Sequence, residues 1–203
     1  MKQTIRSLFI GFSVVLALAG PAMADPDKDA EAAFAADQKG DYATAMKLYM
    51  SAAAGGVPYA MFNLGIMYFD GKGVDRSYIL AMKWHRQAAD TGYHQAQYAL
   101  ANMYEKGQGV KKDMVQAVQW YTKAAEQGFV PAQNNLGVIY TTGDVGVPPN
   151  PQQAYLWFSL AAKEDASAAA RAARIKPKLT PPQLADADKQ IKEWKPKLPP
   201  AKK

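Results

Sequence analysis

Side chains suited to proton, metal or nucleophile chemistry are scarce in this chain: two histidines, His85 and His94, and no cysteine among 203 residues. A catalytic zinc site takes three protein ligands and an open position, and neither histidine stands in a carboxylate cluster that would complete one. His85 is expected on the outer helix of its unit and His94 at the start of the next, both as exposed polar residues. Glu105 and Asp144 are the carboxylates one would pair for acid–base work, yet nothing in the sequence fixes their separation. No serine sits in a nucleophile elbow. Gly71-Lys72-Gly73 and Gly107-Gln108-Gly109 have the composition of a phosphate cradle, but they follow helical rather than strand patterns and recur in step with the rest of the chain. Catalytic residues, metals and cofactors are therefore not expected.

What recurs is a pattern of packing residues. Ala60 opens A-M-F-N-L-G-I-M-Y-F-D-G-K-G-V, Ala96 opens A-Q-Y-A-L-A-N-M-Y-E-K-G-Q-G-V, and Ala132 opens A-Q-N-N-L-G-V-I-Y, at intervals of 36 residues. A fixed period in the thirties marks stacked units, none of which can bury its apolar face alone. Asp41, Ser77, Asp113 and Asn150 recur at steps of 36, 36 and 37. All four side chains accept hydrogen bonds from the free N–H groups of a helix's first turn. Gln116 and Gln153, three residues on, complete a capping-box pattern, and Pro151 fits a first helical position. Gly56, Gly92 and Gly128 end one set of helices; Gly71, Gly107 and Gly143 end the other. These signals predict A helices near 26–38, 58–69, 94–105 and 130–141, and B helices near 42–54, 78–90, 114–126 and 151–163. On helix A, Leu64, Gly65 and Tyr68 recur as Leu100, Ala101, Tyr104 and as Leu136, Gly137, Tyr140. On helix B, Ala81, Trp84, Ala88 and Ala89 recur as Ala117, Trp120, Ala124, Ala125 and as Ala154, Trp157, Ala161, Ala162. The spacing puts each set on one face, with the tryptophan expected to fill the space left by the small residue of helix A.

Gross composition agrees with a folded chain: 49% hydrophobic and 21% charged residues. Residues 1–24 read as a signal peptide, with Lys2 and Arg6 before an apolar run from Leu8 to Leu18 and an A-x-A site at Ala22-Met23-Ala24. Cleavage near Ala24/Asp25 and a periplasmic address follow as expectations. The apolar run falls short of the roughly 20 residues a spanning helix needs, and no transmembrane segment is expected after cleavage. The formal charge of +6 is unevenly spread, with −3 over residues 25–170 and +7 over 171–203. Such asymmetry suggests a separate interaction element at the C-terminal end. Nucleic acid is not expected as a partner of an exported chain whose body is slightly acidic.

The motifs L-G-x-x-Y, G-x-G-V, A-x-x-W and A-A-x-x-G on this period resemble the Sel-1-like repeat family, a relative of tetratricopeptide repeats. The match is specific over 60–95 and 96–131, and good over 132–168. The resemblance implies an all-α fold, an α/α superhelical solenoid of about four helix-turn-helix repeats with a C-terminal capping helix. The organisation is then 25–168 for the repeats, 169–195 for capping helices and 196–203 for a basic Pro/Lys-rich tail. Ala166 to Arg174 should be helical. Thr180 should start a last helix with Leu184, Ala187, Ile191 and Trp194 on one face. From Lys195 onward the composition reads as disordered.

In related solenoids the A helices line a concave groove. The stripe Tyr59, Phe62, Ile66 and Phe69 would then face a ligand, as would its equivalents Gln95, Tyr98, Asn102 and Glu105, and Pro131, Asn134, Val138 and Thr141. Packing against the preceding repeat is the competing role for Phe62 and Phe69. The gradient from aromatic to amide and acid suits a peptide with one apolar anchor and polar flanks. The expected function is a non-catalytic periplasmic scaffold or adaptor binding a protein or peptide partner. Two alternatives stay open. One is an envelope glycan or peptidoglycan binder, with the basic tail touching that polymer or anionic lipid. The other is a cell-wall or β-lactam hydrolase, which some cysteine-rich relatives bring to mind but whose cysteine pairs this chain lacks.

Overall fold

The structure is a computed structural model that describes residues 25–198 of the chain. The expected signal peptide and its cleavage site, up to Ala24, lie outside the described residues, as do the last five residues of the tail. The B helices begin where the recurring cap residues stand. Asp41 Oδ1 accepts from the Thr44 N–H at 3.1 Å, Ser77 Oγ from Leu80 at 3.3 Å, Asp113 Oδ1 from Gln116 at 2.9 Å, and Asn150 Oδ1 from Gln153 at 3.1 Å. Each bond satisfies a first-turn donor that the helix itself cannot. These caps open Tyr42–Ala54 (α2), Tyr78–Asp90 (α4), Met114–Glu126 (α6) and Pro151–Ala161 (α8). The A helices are Pro26–Gln38 (α1), Pro58–Asp70 (α3), His94–Lys106 (α5) and Val130–Thr142 (α7).

No side chain caps the starts of α3, α5 and α7. At α5 and α7 a buried glutamine serves the junction instead. Gln97 Nε2 donates to the Ala89 carbonyl at 3.2 Å, and Gln133 Nε2 donates to the Ala125 carbonyl at 3.1 Å. Each of these carbonyls also accepts the N–H of the glycine that follows, Gly92 or Gly128, both at 3.0 Å, so the glutamine is a second donor that ties the new A helix to the end of the preceding B helix. The second glycine of each G-x-G loop stacks on the unit before it. A Cβ at Gly73 would lie 2.5 Å from Tyr42, at the start of α2, and one at Gly109 would lie 2.5 Å from the Tyr78 carbonyl, at the start of α4. Those loops are spacers between hairpins.

Consecutive helices pair as antiparallel hairpins, α1 with α2 through α7 with α8, and each hairpin then packs on the next. Ala166–Ile175 (α9), a 3-10 turn at Lys176–Lys178 and Pro181–Glu193 (α10) close the array, with α9 and α10 both against α8. The described residues thus form the all-α solenoid that the period predicts. Ala187 of α10 is fully buried, and Leu184 and Ile191 pack beside it against α8 and α9.

Three expectations need correction. The ring that meets the small residue of helix A is not the tryptophan but its neighbour. Tyr49, His85, Tyr121 and Phe158 occupy equivalent positions and are all buried. The His85 ring lies directly over Gly65, and a Cβ at Gly137 would come within 2.6 Å of Phe158. The tryptophan one step round the helix serves the core elsewhere, with Trp120 and Trp157 buried in the central cluster at 5% and 7% exposed. Trp84 is only partly buried, and Trp120 lies between Arg86, whose guanidinium carbon is 4.7 Å from the ring centroid, and Lys123, whose ammonium is 3.6 Å away. His85, expected on the outside, is therefore an interior residue, 3% exposed. Finally, the first residues of the tail are not free. The Lys197 N–H donates to the Glu126 carbonyl at 2.8 Å, and its ammonium lies 2.7 Å from the Glu126 carboxylate.

Candidate interaction groove

Successive A helices stand side by side, so their outward stripes share one face of the solenoid. Between α3 and α5 that face opens into a cavity of about 520 Å³. Phe62, Ile66 and Phe69 of α3 form one wall, and Gln95, Tyr98 and Asn102 of α5 the other. His85 of α4 contributes to the floor, and Phe129, just before α7, closes one end. Ring contacts hold the walls in place. The centroid of Phe62 is 5.4 Å from that of His85 and 5.5 Å from that of Tyr93, and Tyr98 is 5.3 Å from Phe129. Phe62 and Phe69 both line the cavity, and their ring contacts run to their own hairpin and the turn after it, Phe69 to Tyr78 at 5.0 Å, rather than to the preceding repeat.

The other stripe residues are placed differently. Tyr59 lies off the cavity, edge-on to Phe34 at 6.2 Å and to Tyr49 at 6.3 Å, where it joins the first hairpin to α3. Glu105 accepts a hydrogen bond from the buried Tyr121 hydroxyl, which also touches the Asn102 amide oxygen position at 2.6 Å. One hydroxyl proton serves one acceptor, so the amide is best turned to donate to Tyr121 while Tyr121 donates to Glu105. Asn134 is drawn away by α9, donating to the Asp165 carboxylate at 2.7 Å. Val138, 45% exposed, belongs to a second cavity of about 270 Å³ between α7 and α9.

The titratable groups at and beside the cavity are shifted by burial and by their partners. Burial pushes the His85 imidazole down to about 4, so it is neutral at physiological pH. Its Nδ1 and the amide oxygen of Gln95 are shielded from solvent without a hydrogen-bond partner in the described chain. Burial, followed by the Glu105 carboxylate, raises the Tyr121 hydroxyl well above its ordinary range. Glu105 and Asp144 have different partners. Asp144 is held below the usual carboxylate range first by the Val145 N–H and then by Lys112, 3.0 Å away, whereas Glu105 is engaged with Tyr121. Among the described residues no three His, Asp or Glu side chains converge as metal ligands, and no helix is long and apolar enough to cross a membrane.

Sequence reasoning missed His85 as a groove residue and the glutamines at 97 and 133 as junction residues. Both had a signal, because each position carries a recurring type at the repeat interval.

Comparison with known proteins points the same way. The Sel1 repeat model matches residues 58–93, 94–129 and 130–165. No curated protein matches the chain. Two similar solved structures are repeat proteins. One is c5321, a protective antigen present in uropathogenic Escherichia coli strains and displaying an SLR fold. It is 33% identical over 83% of this chain, with a TM-score of 0.71. The other is a Sel1 repeat protein from Oxalobacter formigenes, 35% identical over 70% of this chain, with a TM-score of 0.67. The chain spans 37% and 59% of the lengths of those two proteins. With three matched repeats covering more than half its length, on hairpins that pack as the repeat requires, the chain belongs to the Sel1 repeat family.

Proposed function

We propose that this chain is a non-catalytic periplasmic scaffold that holds a protein, or an extended peptide from one, along the A-helix face. The observation that carries the reading is the cavity between α3 and α5. It is a concave site of about 520 Å³ with aromatic walls and a few polar groups, built from residues at the outward positions of the repeat. Sel1 repeat proteins are generally protein-interaction scaffolds, which supports the same reading. Apolar walls at Phe62, Ile66 and Phe69 would take a side-chain anchor, and Gln95 and Asn102 would bond the backbone or polar flanks beside it.

The groove ranks ahead of an envelope polymer bound through the tail because Lys197, part of that tail, already pairs with Glu126. Purified chain used as bait in periplasmic extract should retain a partner that a Phe62→Ala/Tyr98→Ala/Asn102→Ala variant retains at least tenfold less. Equal retention by a folded variant would place the contact elsewhere. The periplasmic address rests on the composition of residues 1–24. Fractionation of cells expressing the full chain should yield a periplasmic species whose mass begins at Asp25; a cytoplasmic, full-mass product would refute the address.

A further inference from the structure

The stripe that lines the aromatic cavity continues along α7 as Val138 and Thr141, where the second cavity opens against α9. Its floor is apolar, formed by Phe158 and Ile175, which are 3% and 5% exposed. Its rim is cationic, with Arg171 and Arg174 on α9 and Lys178 just after it. None of these three has an ion-pair partner among the described residues. The one contact of note is Arg171, whose guanidinium carbon lies 5.7 Å from the Phe158 ring centroid. Stacking of that kind orients the planar group while its N–H donors stay available for a carboxylate. Arg171 and Arg174, three residues apart on α9, repel one another weakly, and an anion between them would relieve that repulsion. It stands apart from a repeat body that carries a net charge of −3 over residues 25–170.

We propose that this end of the groove receives an acidic segment, Asp or Glu side chains, of the same polypeptide whose apolar residue enters the aromatic cavity. The proposal rests on the groove reading above and adds the chemistry of the partner. Charge complementarity selects the acid, and the Phe158–Ile175 floor takes the aliphatic stems beside it. The recessed site lies on the A-helix face, where an extended chain can follow the stripe and a flat anionic surface cannot. The two cavities are two A-helix steps apart, about 20 Å at ordinary interhelix distances. An extended chain covers that span in about six residues.

The test is selection of a random dodecapeptide library on the purified chain, run in parallel on an R174Q/K178Q variant and on a Phe62→Ala variant. Peptides selected by the wild type should carry an aromatic or aliphatic residue and, about six positions away, Asp or Glu. R174Q/K178Q should lose the acidic preference and keep the apolar one, and Phe62→Ala should do the reverse. A synthetic version of the selected peptide should bind the wild type about tenfold more tightly than its Glu→Gln counterpart, and R174Q/K178Q should not distinguish them. Apolar enrichment without an acidic preference would overturn this inference and leave the groove standing. An acidic preference that survives R174Q/K178Q and survives again with R171Q added would overturn it as well, by placing the carboxylates elsewhere. No enrichment of any kind would remove the groove reading and this one together. Sedimentation with phosphatidylglycerol vesicles or cell-wall sacculi that R174Q/K178Q abolishes, with no acidic preference among peptides, would assign the rim to an anionic surface instead.

Discussion

His85 and Phe158 fill the same slot in two different repeats. Each stands one residue after the recurring tryptophan, each is 3% exposed, and each lies flat over a glycine of the neighbouring A helix. For Phe158 the slot is chemically satisfied, with nothing but ring carbon facing the backbone of α7. For His85 it is not, because a ring nitrogen is buried without a partner, at a cost of about 1–3 kcal/mol. Close packing of a flat ring is thus what the repeat demands of this position, and a polar ring is an addition to that demand. Of the polar rings in this column, His85 is the one that lines the aromatic cavity.

Three substitutions break or sharpen the comparison. Phe158→Ala should be the most damaging, about 3–5 kcal/mol by chemical denaturation, because the void beneath Gly137 cannot close around a rigid helix pair. A loss under about 1 kcal/mol would mean the slot tolerates emptiness and that ring packing is not its purpose. The next effect is on pH. With His85 near 4 in the folded chain and the ordinary value of 6.5 when unfolded, the unfolded state binds the proton more readily between those values. Stability is fully present above about pH 6.5 and falls by about 3 kcal/mol as pH drops to about 4. His85→Phe should remove that component and leave a flatter profile, so parallel profiles for wild type and variant would contradict the buried, neutral assignment. The smallest effect is expected for Gly65→Ala, about 1–3 kcal/mol from overpacking against the imidazole. His85→Ala in the same chain should relieve it, and a double-mutant cycle with zero coupling would show that the two do not press on one another.

The helix pattern was legible because its punctuation is local. Asp41, Ser77, Asp113 and Asn150 act within three residues of themselves, and the predicted B-helix bounds agree with the structure at α2, α4 and α6. The capping-box glutamines were read too generously, since the cap bond seen at Gln116 and Gln153 runs from their backbone N–H to the cap side chain. The stripe was legible in part: Phe62, Ile66, Phe69, Tyr98 and Asn102 converge on one cavity. Asn134 was not, because its partner Asp165 comes from 31 residues away and depends on where α9 turns back. His85 was misread because residue type was weighed above position. A histidine looks polar alone, but the column Tyr49, His85, Tyr121 and Phe158 marks a ring site once the period is applied across repeats. The tail was misread because Pro- and Lys-rich composition says nothing of a nearby anchor such as Trp194, which packs against the central core and meets Lys163 at 5.2 Å.

The clasp between Lys197 and Glu126 has a thermodynamic consequence. A stack of hairpins touching only their neighbours can unravel from either end, one unit at a time. Here a strap from beyond α10 reaches back 71 residues to the end of α6, so the last hairpin and its closing helices cannot peel away while it holds. Opening from the C-terminal end must break this contact first, so the N-terminal hairpin of α1 and α2, which has no such strap among the described residues, is where opening should begin.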